Sequence, residues 1–371
     1  MGGQRAQTAR RWLLVAVGLA VLGSLPALVG AWPVSAAAVD LGTLRDRILA
    51  AEGTYAGYAE SDGSLGLPDL PAIDNVGALL GGRTRLRAWQ SPAGSRIDVL
   101  TSTGERDLYE SRSTLTAWDF ENNVTTRLYG EPGLRLPRAA DLVPPRLARR
   151  LLGGPRGAER LESLPARRVA GVAAVGLRLV PTDPETTIGH VDVWADPETG
   201  LPVEVRVTGR DGGAPGLRSR FLDLDQGSEA VPADLLVAPY PEGGERARAP
   251  VTAVGDRIDQ FAPAVLPERL ADRASSQVVE GGQALRTYGQ GFSLFGAIAL
   301  PGGLGFRVYD AARTAGALGV DLGDGDGMLL RTPLLTLLVV SSDSGYGYVL
   351  AGPVGAELLT RAARELVGTP A

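Results

Sequence analysis

Residues 191–207 read VDVWADPETGLPVEVRV, and this stretch decides the fold. Val191, Val193, Val203, Val205 and Val207 share one parity on either side of Asp-Pro-Glu-Thr-Gly, so two period-2 strands flank a turn. Gly200 is placed to take the positive φ such a turn requires. The pattern is a β-hairpin with a buried valine face, and Asp192, Glu204 and Arg206 are expected on a solvated opposite face.

Working outward, the same rhythm recurs upstream. Candidate strands are Thr54 to Glu60, Arg83 to Gln90, Ser95 to Thr101, Glu105 to Ser111, Thr114 to Phe120 and Val124 to Tyr129. From Arg83 onward they follow at the spacing of an antiparallel meander, with turn chemistry at Ser91-Pro92-Ala93-Gly94, Ser102-Thr103-Gly104 and Glu121-Asn122-Asn123. The inward parity holds Leu86, Ile97, Val99, Leu108, Leu115, Val124 and Leu128, and the outward parity Arg85, Arg87, Asp98 and Arg127. Asp40 is placed to cap a helix reaching about Ala51, whose apolar face is Leu41, Leu44, Ile48 and Ala51. Two apolar insertions, Leu65 to Leu80 and Leu134 to Leu152, exceed an ordinary connection and suit lids or core-closing loops. Further strands are expected at Arg168 to Ala170, Ala174 to Pro181 and Leu217 to Asp225, for ten or eleven in all.

Composition narrows the function. All 37 basic residues of the 371 are arginine, and the formal net charge is −5, so no basic face for nucleic acid is implied. Cysteine is absent, which excludes disulfides, thiolate metal sites and thiol nucleophiles. A single histidine, His190, opens a strand, where a half-buried structural role is expected and multi-histidine metal centres are excluded. No catalytic constellation emerges, so an enzyme ranks last; no metal or cofactor is expected.

Arg5, Arg10 and Arg11 precede an almost wholly apolar run from Trp12 to Ala31, followed by Val34-Ser35-Ala36-Ala37-Ala38. This reads as an export signal cut near Ala36 or Ala38, or as a retained N-terminal anchor, since a run of ~20 apolar residues is long enough to span a bilayer. The arginines stay cytoplasmic in both readings. Arg10-Arg11 also loosely fits a twin-arginine signal, although the general secretory route is preferred.

The helix-then-meander order, with Trp-x-Asp-x-x-Thr-Gly-Leu-Pro-Val-x-Val at Trp194 to Val205, resembles the LolA-type lipoprotein-carrier fold. More specifically it resembles the MucB/RseB-type sigma-factor regulatory proteins. Leu115-Thr116-Ala117-Trp118-Asp119, and Val169-Ala170-Gly171 leading into Leu177-Arg178-Leu179, add to the likeness. The resemblance implies a mainly β protein with α+β character. Its parts are an N-terminal segment 1–38, an unclosed antiparallel half-barrel with covering helices over 39–241, a linker 242–250 and a small α+β domain over 251–371.

In that C-terminal domain, strands are expected at Gln283 to Tyr288, Phe292 to Ala299, Met328 to Thr332, Leu334 to Val340 and Tyr346 to Gly352. Helices are expected at Phe306 to Ala315 and Val354 to Leu366. Tyr288-Gly289-Gln290-Gly291-Phe292 is similar to the turn that opens a strand in the family's second domain, with Gln290 where the family commonly has Asp. Asp321, Asp324 and Asp326 lack the spacing and terminal Glu of a calcium loop and read as an ordinary turn.

What the resemblance implies functionally is an exported binding protein at the outer face of a bacterial cell membrane, holding lipid or lipoprotein acyl chains in an apolar cavity. Leu86, Val99, Leu115, Leu128, Val193 and Val205 are the candidate cavity residues, with Leu79 and Leu80 on a lid; inward parity does not separate a cavity from a filled sheet face, and a plain core role is the commoner one for each. The second domain favours an envelope sensor that binds a membrane-tethered anti-sigma factor. A simple lipoprotein carrier and a structural envelope protein with a filled core are the alternatives.

Overall fold

The structure, a computed structural model, describes residues 39–66, 74–101, 104–130, 137–240, 243–250, 264–276, 284–342 and 345–368. The expected export segment and parts of both apolar insertions lie outside the described residues. Helix α1 (Leu41–Ala50) begins where expected: the Asp40 carboxylate accepts from the Thr43 backbone N–H at 2.8 Å. Strands β1 (Tyr55–Gly63), β2 (Arg83–Ser91), β3 (Gly94–Leu100), β4 (Glu105–Ser111), β5 (Leu115–Asp119) and β6 (Val124–Tyr129) follow, with helix α2 (Asp74–Gly81) between the first two. Helix α3 (Pro144–Leu152) opens on two prolines, whose fixed φ and missing N–H suit a first turn. Then come β7 (Glu159–Val169), β8 (Val172–Pro181), β9 (Ile188–Ala195), β10 (Pro202–Gly209) and β11 (Leu217–Gln226).

The hairpin β9–β10 behaves as its sequence requires. Gly200 has φ +73°, and its N–H donates to the Asp196 carbonyl at 2.9 Å. A Cβ at Gly200 would fall 2.6 Å from the Arg47 backbone, so the glycine also admits α1 against the turn. Val193 pairs with Val205 and Val191 with Val207, and all five valines are buried.

The strand order is β12-β6-β5-β4-β3-β2-β1-β11-β10-β9-β8-β7, an open sheet with two edges rather than a closed barrel. Strand β12 (Glu245–Pro250) occupies the stretch expected as a linker. It adds in parallel beside β6, Arg246 opposite Thr125 and Arg248 opposite Arg127. Helices α1 and α3 pack on the inner face over β8 to β11, where Leu44, Ile48, Leu147, Ala148 and Leu152 meet the valines of the hairpin. The pair is fixed by Arg45, whose Nε and Nη2 donate to the Leu152 carbonyl at 3.0 and 2.5 Å, satisfying the C-terminus of α3.

The second sheet runs β13 (Arg269–Leu270), β14 (Arg273–Ser276), β15 (Leu285–Tyr288), β16 (Phe295–Leu300), β20 (Gly347–Gly352), β19 (Thr336–Ser342), β18 (Gly325–Arg331), β17 (Leu318–Asp321). Helix α4 (Gly302–Thr314) packs with Leu337 and Val339 of β19, whereas α5 (Ala356–Val367) packs with Leu338 and Val340. The two parities bury opposite faces, which explains why Leu334 to Val340 is apolar without alternation. Leu334 itself lies before the strand and joins the core of the first domain above Gly216. Gly209 abuts the Pro333 carbonyl, and Thr186 forms an antiparallel bridge with Val354. Arg273 pairs with Asp183 at 3.0 Å and Glu185 at 2.8 Å, and Arg361 pairs with Glu185 at 2.6 Å. The two sheets are therefore joined by backbone bonds, by ion pairs and by Leu334, Leu335 and Phe292, which pack into or against the first core. The acidic run holding Asp321, Asp324 and Asp326 forms the turn between β17 and β18, with Gly323 at φ +90°.

Candidate functional site

The inner face of the first sheet has two limbs that differ in how they are filled. Over β8 to β11 and β1 to β2 the helices leave no gap: Leu86, Val193 and Val205 are each 0% exposed. Over β4 to β6 none of the described α-helices covers the sheet, and Leu108, Leu115 and Leu128 on the inner parity are only half-buried. They border a cleft of about 640 Å³ whose rim includes Glu110, Arg112, Arg138, Asp141, Arg146 and Arg248. Arg146, projecting from α3, donates to Ser95 Oγ at 2.6 Å and pairs with Glu110 at 2.8 Å, which closes the inner end. Three leucines thus form part of the floor of a cleft whose lining is otherwise mostly polar and rich in arginine.

The opposite face of this limb is inverted. Asp98, Asp107, Tyr109, Thr116 and Thr125 have outward parity yet are buried. The segment following β11 lies over them: the short turn Ala233–Leu236 packs on β3, and Thr125 Oγ1 donates to the Pro239 carbonyl at 3.0 Å. Arg96 Nε and Nη2 donate to the two Asp98 oxygens at 2.6 and 2.9 Å, and Nη2 also reaches Asp107 at 2.9 Å. Tyr109 donates its hydroxyl to Asp107 at 3.1 Å. Burial first, then the Asp98 charge, push the Asp107 carboxyl up to about 7, and burial also raises Asp98. Asp98, Glu105 and Asp107 have the convergence of a cation site, but the guanidinium of Arg96 supplies the positive charge there.

On the other limb the outward face is also drier than expected. Asp192 and Glu204 are 5% and 2% exposed. Arg178 clamps Asp192 at 2.7 and 2.9 Å; Arg206 and Arg218 donate to Glu204 at 2.8 and 2.7 Å, and Arg167 pairs with it from a bulge in β7. Arg167 stacks on Trp194, 3.4 Å from the ring centroid. Burial pushes the Glu204 carboxyl up, but the three arginines outweigh it and the net shift is down. His190 lies on this face, 3.8 Å from Asp192, and burial lowers its pKa.

A second cleft, about 580 Å³, lies between the domains. Leu151, Leu179, Pro181, Phe292 and Pro353 line it, with Arg45 and Glu159, paired at 2.5 Å, in its wall.

Of the sequence candidates, Leu115 and Leu128 come together at the first cleft. Leu86, Val193 and Val205 lie in the filled core with Leu80, and Val99 and Leu79 pack partly buried against it. Leu108 and Arg146 border the same cleft and were not among the candidates; Leu108 carried the signal in its parity, while nothing local marked Arg146. No described helix is long and apolar enough to cross a membrane.

No family model matches the chain, and no curated protein matches it. Among solved structures, the fold is similar to that of MucB in complex with MucA(peri), at 16% identity and TM-score 0.48 over 87% of this chain and 97% of that one. It is also similar to the MucA/MucB complex structure from Pseudomonas aeruginosa, at 17% identity and TM-score 0.49 over 88% and 97%. A LolA superfamily protein from Nitrosomonas europaea aligns with 55% of this chain and all of its own, at 11% identity and TM-score 0.25.

Proposed function

We propose that this chain is an exported, non-catalytic binding protein that takes the acyl chain of a lipid or lipoprotein in the cleft over β4 to β6. The observation that carries this reading is the inverted burial of that limb. Its polar outward residues Asp98 and Asp107 are 1% and 2% exposed, while the inner leucines Leu108, Leu115 and Leu128 remain half-open. Half-open leucines in a cleft of about 640 Å³ support a ligand site of that size, in which the mostly polar rim would hold a head group. At ~0.8 kcal/mol per buried methylene, a chain of about sixteen carbons contributes on the order of 10 kcal/mol before ordering costs.

The regulatory form of this reading has the occupied cleft report envelope damage to an anti-sigma factor bound through both domains. The cleft between the two sheets supports such a partner role, because it is bordered by β7, an edge strand of the first sheet, and by β14, which only the two-residue strand β13 separates from the edge of the second. A carrier without a regulatory partner is the second reading, and the second domain argues against it.

The experiment is uptake of a fluorescent fatty acid by wild type and by Leu128→Arg. The variant is expected to fold, since Leu128 is half-exposed, and to lose uptake at least tenfold. Unchanged uptake in a folded Leu128→Arg protein refutes the cleft as the site.

A further inference from the structure

We propose that the outer face of the β5–β6–β12 edge, with the segment that crosses it, is a docking surface for an anionic phospholipid bilayer. Eight large hydrophobic side chains are conspicuously exposed among the described residues, and four of them, Phe120, Tyr129, Val237 and Tyr240, belong to this edge. Arg246 stands over the Tyr240 ring at 4.9 Å and Arg248 over the Tyr129 ring at 5.8 Å, while Trp118 meets Phe120 edge-on at 5.6 Å. The strand register puts Arg127 beside Arg248 and Thr125 beside Arg246, so the three arginines and the aromatic rings share one surface.

Arg127, Arg246 and Arg248 are exposed, and none has a carboxylate within ion-pair distance among the described residues. Arg85 and Arg87 of β2 are likewise exposed and unpaired among the described residues, whereas other arginines of the sheet are matched to carboxylates. Arg96 and Arg106 of the same limb are matched to Asp98 and Asp119, and Arg178, Arg206 and Arg218 are matched to Asp192 and Glu204. Glu245, the acid nearest in sequence to Arg246, has the opposite parity on β12.

Exposed tyrosines with arginines stacked on them suit a lipid headgroup layer: the rings are amphipathic and rest at the polar boundary, while the guanidiniums meet lipid phosphates. Each basic residue near an anionic surface strengthens binding by a factor of roughly five. A soluble acidic partner would satisfy the arginines but not four exposed apolar groups. On the export reading the apolar run Trp12 to Ala31 would bring this chain to a bilayer, during export or by retention, which favours lipid over a second protein. Tyr129, Arg127 and Arg248 also border the leucine cleft, so the docked surface and the cleft mouth are continuous. The docking surface does not depend on what the cleft holds.

The chain contains no cysteine, so Val237→Cys gives the full-length protein a single labelling position within the patch, and Leu318→Cys gives a control on the second domain. The labelled proteins are reconstituted in phosphatidylcholine vesicles carrying a headgroup-region quencher, with or without phosphatidylglycerol. The label at 237 is expected to be quenched only with phosphatidylglycerol, and the quenching to be lost in high salt and in the R127E/R246E/R248E background. The label at 318 is expected to stay unquenched throughout. R127Q/R246Q/R248Q serves if the charge reversal perturbs folding, and should also reduce the quenching. Equal quenching without phosphatidylglycerol, or quenching that survives the triple substitution, overturns the proposal. So does concentration-dependent self-association through the patch, which would make a second copy its occupant.

Discussion

Replacing Glu204 with glutamine should destabilise the first domain more than any other charge-removing change on the outer face. The carboxylate is 2% exposed and holds Arg206 at 2.8 Å, Arg218 at 2.7 Å and Arg167. Breaking a buried ion pair by removing one partner costs about 3–5 kcal/mol, because the other charge is left uncompensated. The arginine side chains are 27% to 34% exposed and partly rehydrate, and glutamine keeps one acceptor oxygen, so about 2–4 kcal/mol is expected. At an m value near ~2 kcal/mol per molar urea, the midpoint should fall by ~1–2 M. The pH dependence gives the sign. Glu204 has a depressed folded pKa, so its stabilisation is present above the unfolded value of 4.5 and is lost as pH falls through the folded one. The gap between wild type and Glu204→Gln in urea titrations should be full at neutral pH and close in acid. A loss under ~1 kcal/mol at pH 7, or a gap that persists unchanged in strong acid, would refute the reasoning.

The Asp107 carboxyl has the opposite slope: its folded pKa lies near 7 against 3.8 unfolded, so its contribution is full below 3.8 and lost as pH rises through about 7. Asp107→Asn should remove much of the fall in stability between acid and neutral pH, measured as urea midpoints across that range, and an unaltered slope would assign the fall to other groups. At the domain junction, a Cβ on Gly209 would lie 2.2 Å from the Pro333 carbonyl, so Gly209→Ala should cost about 1–3 kcal/mol and split the melting of the two domains into separate calorimetric transitions. A melt identical to wild type would show that the contact relaxes without cost. Val193→Arg, buried among valines at 0% exposure, should leave little folded protein, measurable as loss of native circular dichroism, whereas Leu128→Arg stays folded.

How much of this was legible in the sequence depends on the range of the interaction. The hairpin at Val191 to Val207, the meander from Arg83 to Tyr129 and the helix after Asp40 are local patterns, and the structure shows each in place. Strand β12 was not legible, because Glu-Arg-Ala-Arg-Ala-Pro alternates only arginine with alanine, carries no β-branched or aromatic residue, and gains its ladder only from β6, more than a hundred residues earlier. The burial of Asp98 and Asp107 was hidden for the same reason: parity puts them outward, and a segment after β11 then covers them. Leu334 reads as the start of a strand but is taken by the first domain's core. Parity named the inner face correctly and still could not separate Val193 from Leu128. That difference is made by where α1 and α3 end, not by the strands themselves.

The most direct test of the binding account is native mass spectrometry of the full-length protein purified gently from its own host, followed by lipid extraction. A stoichiometric lipid or acylated peptide, displaced in Leu128→Arg, is the expected result. A clean unliganded mass that does not change on challenge with lipid would contradict the account.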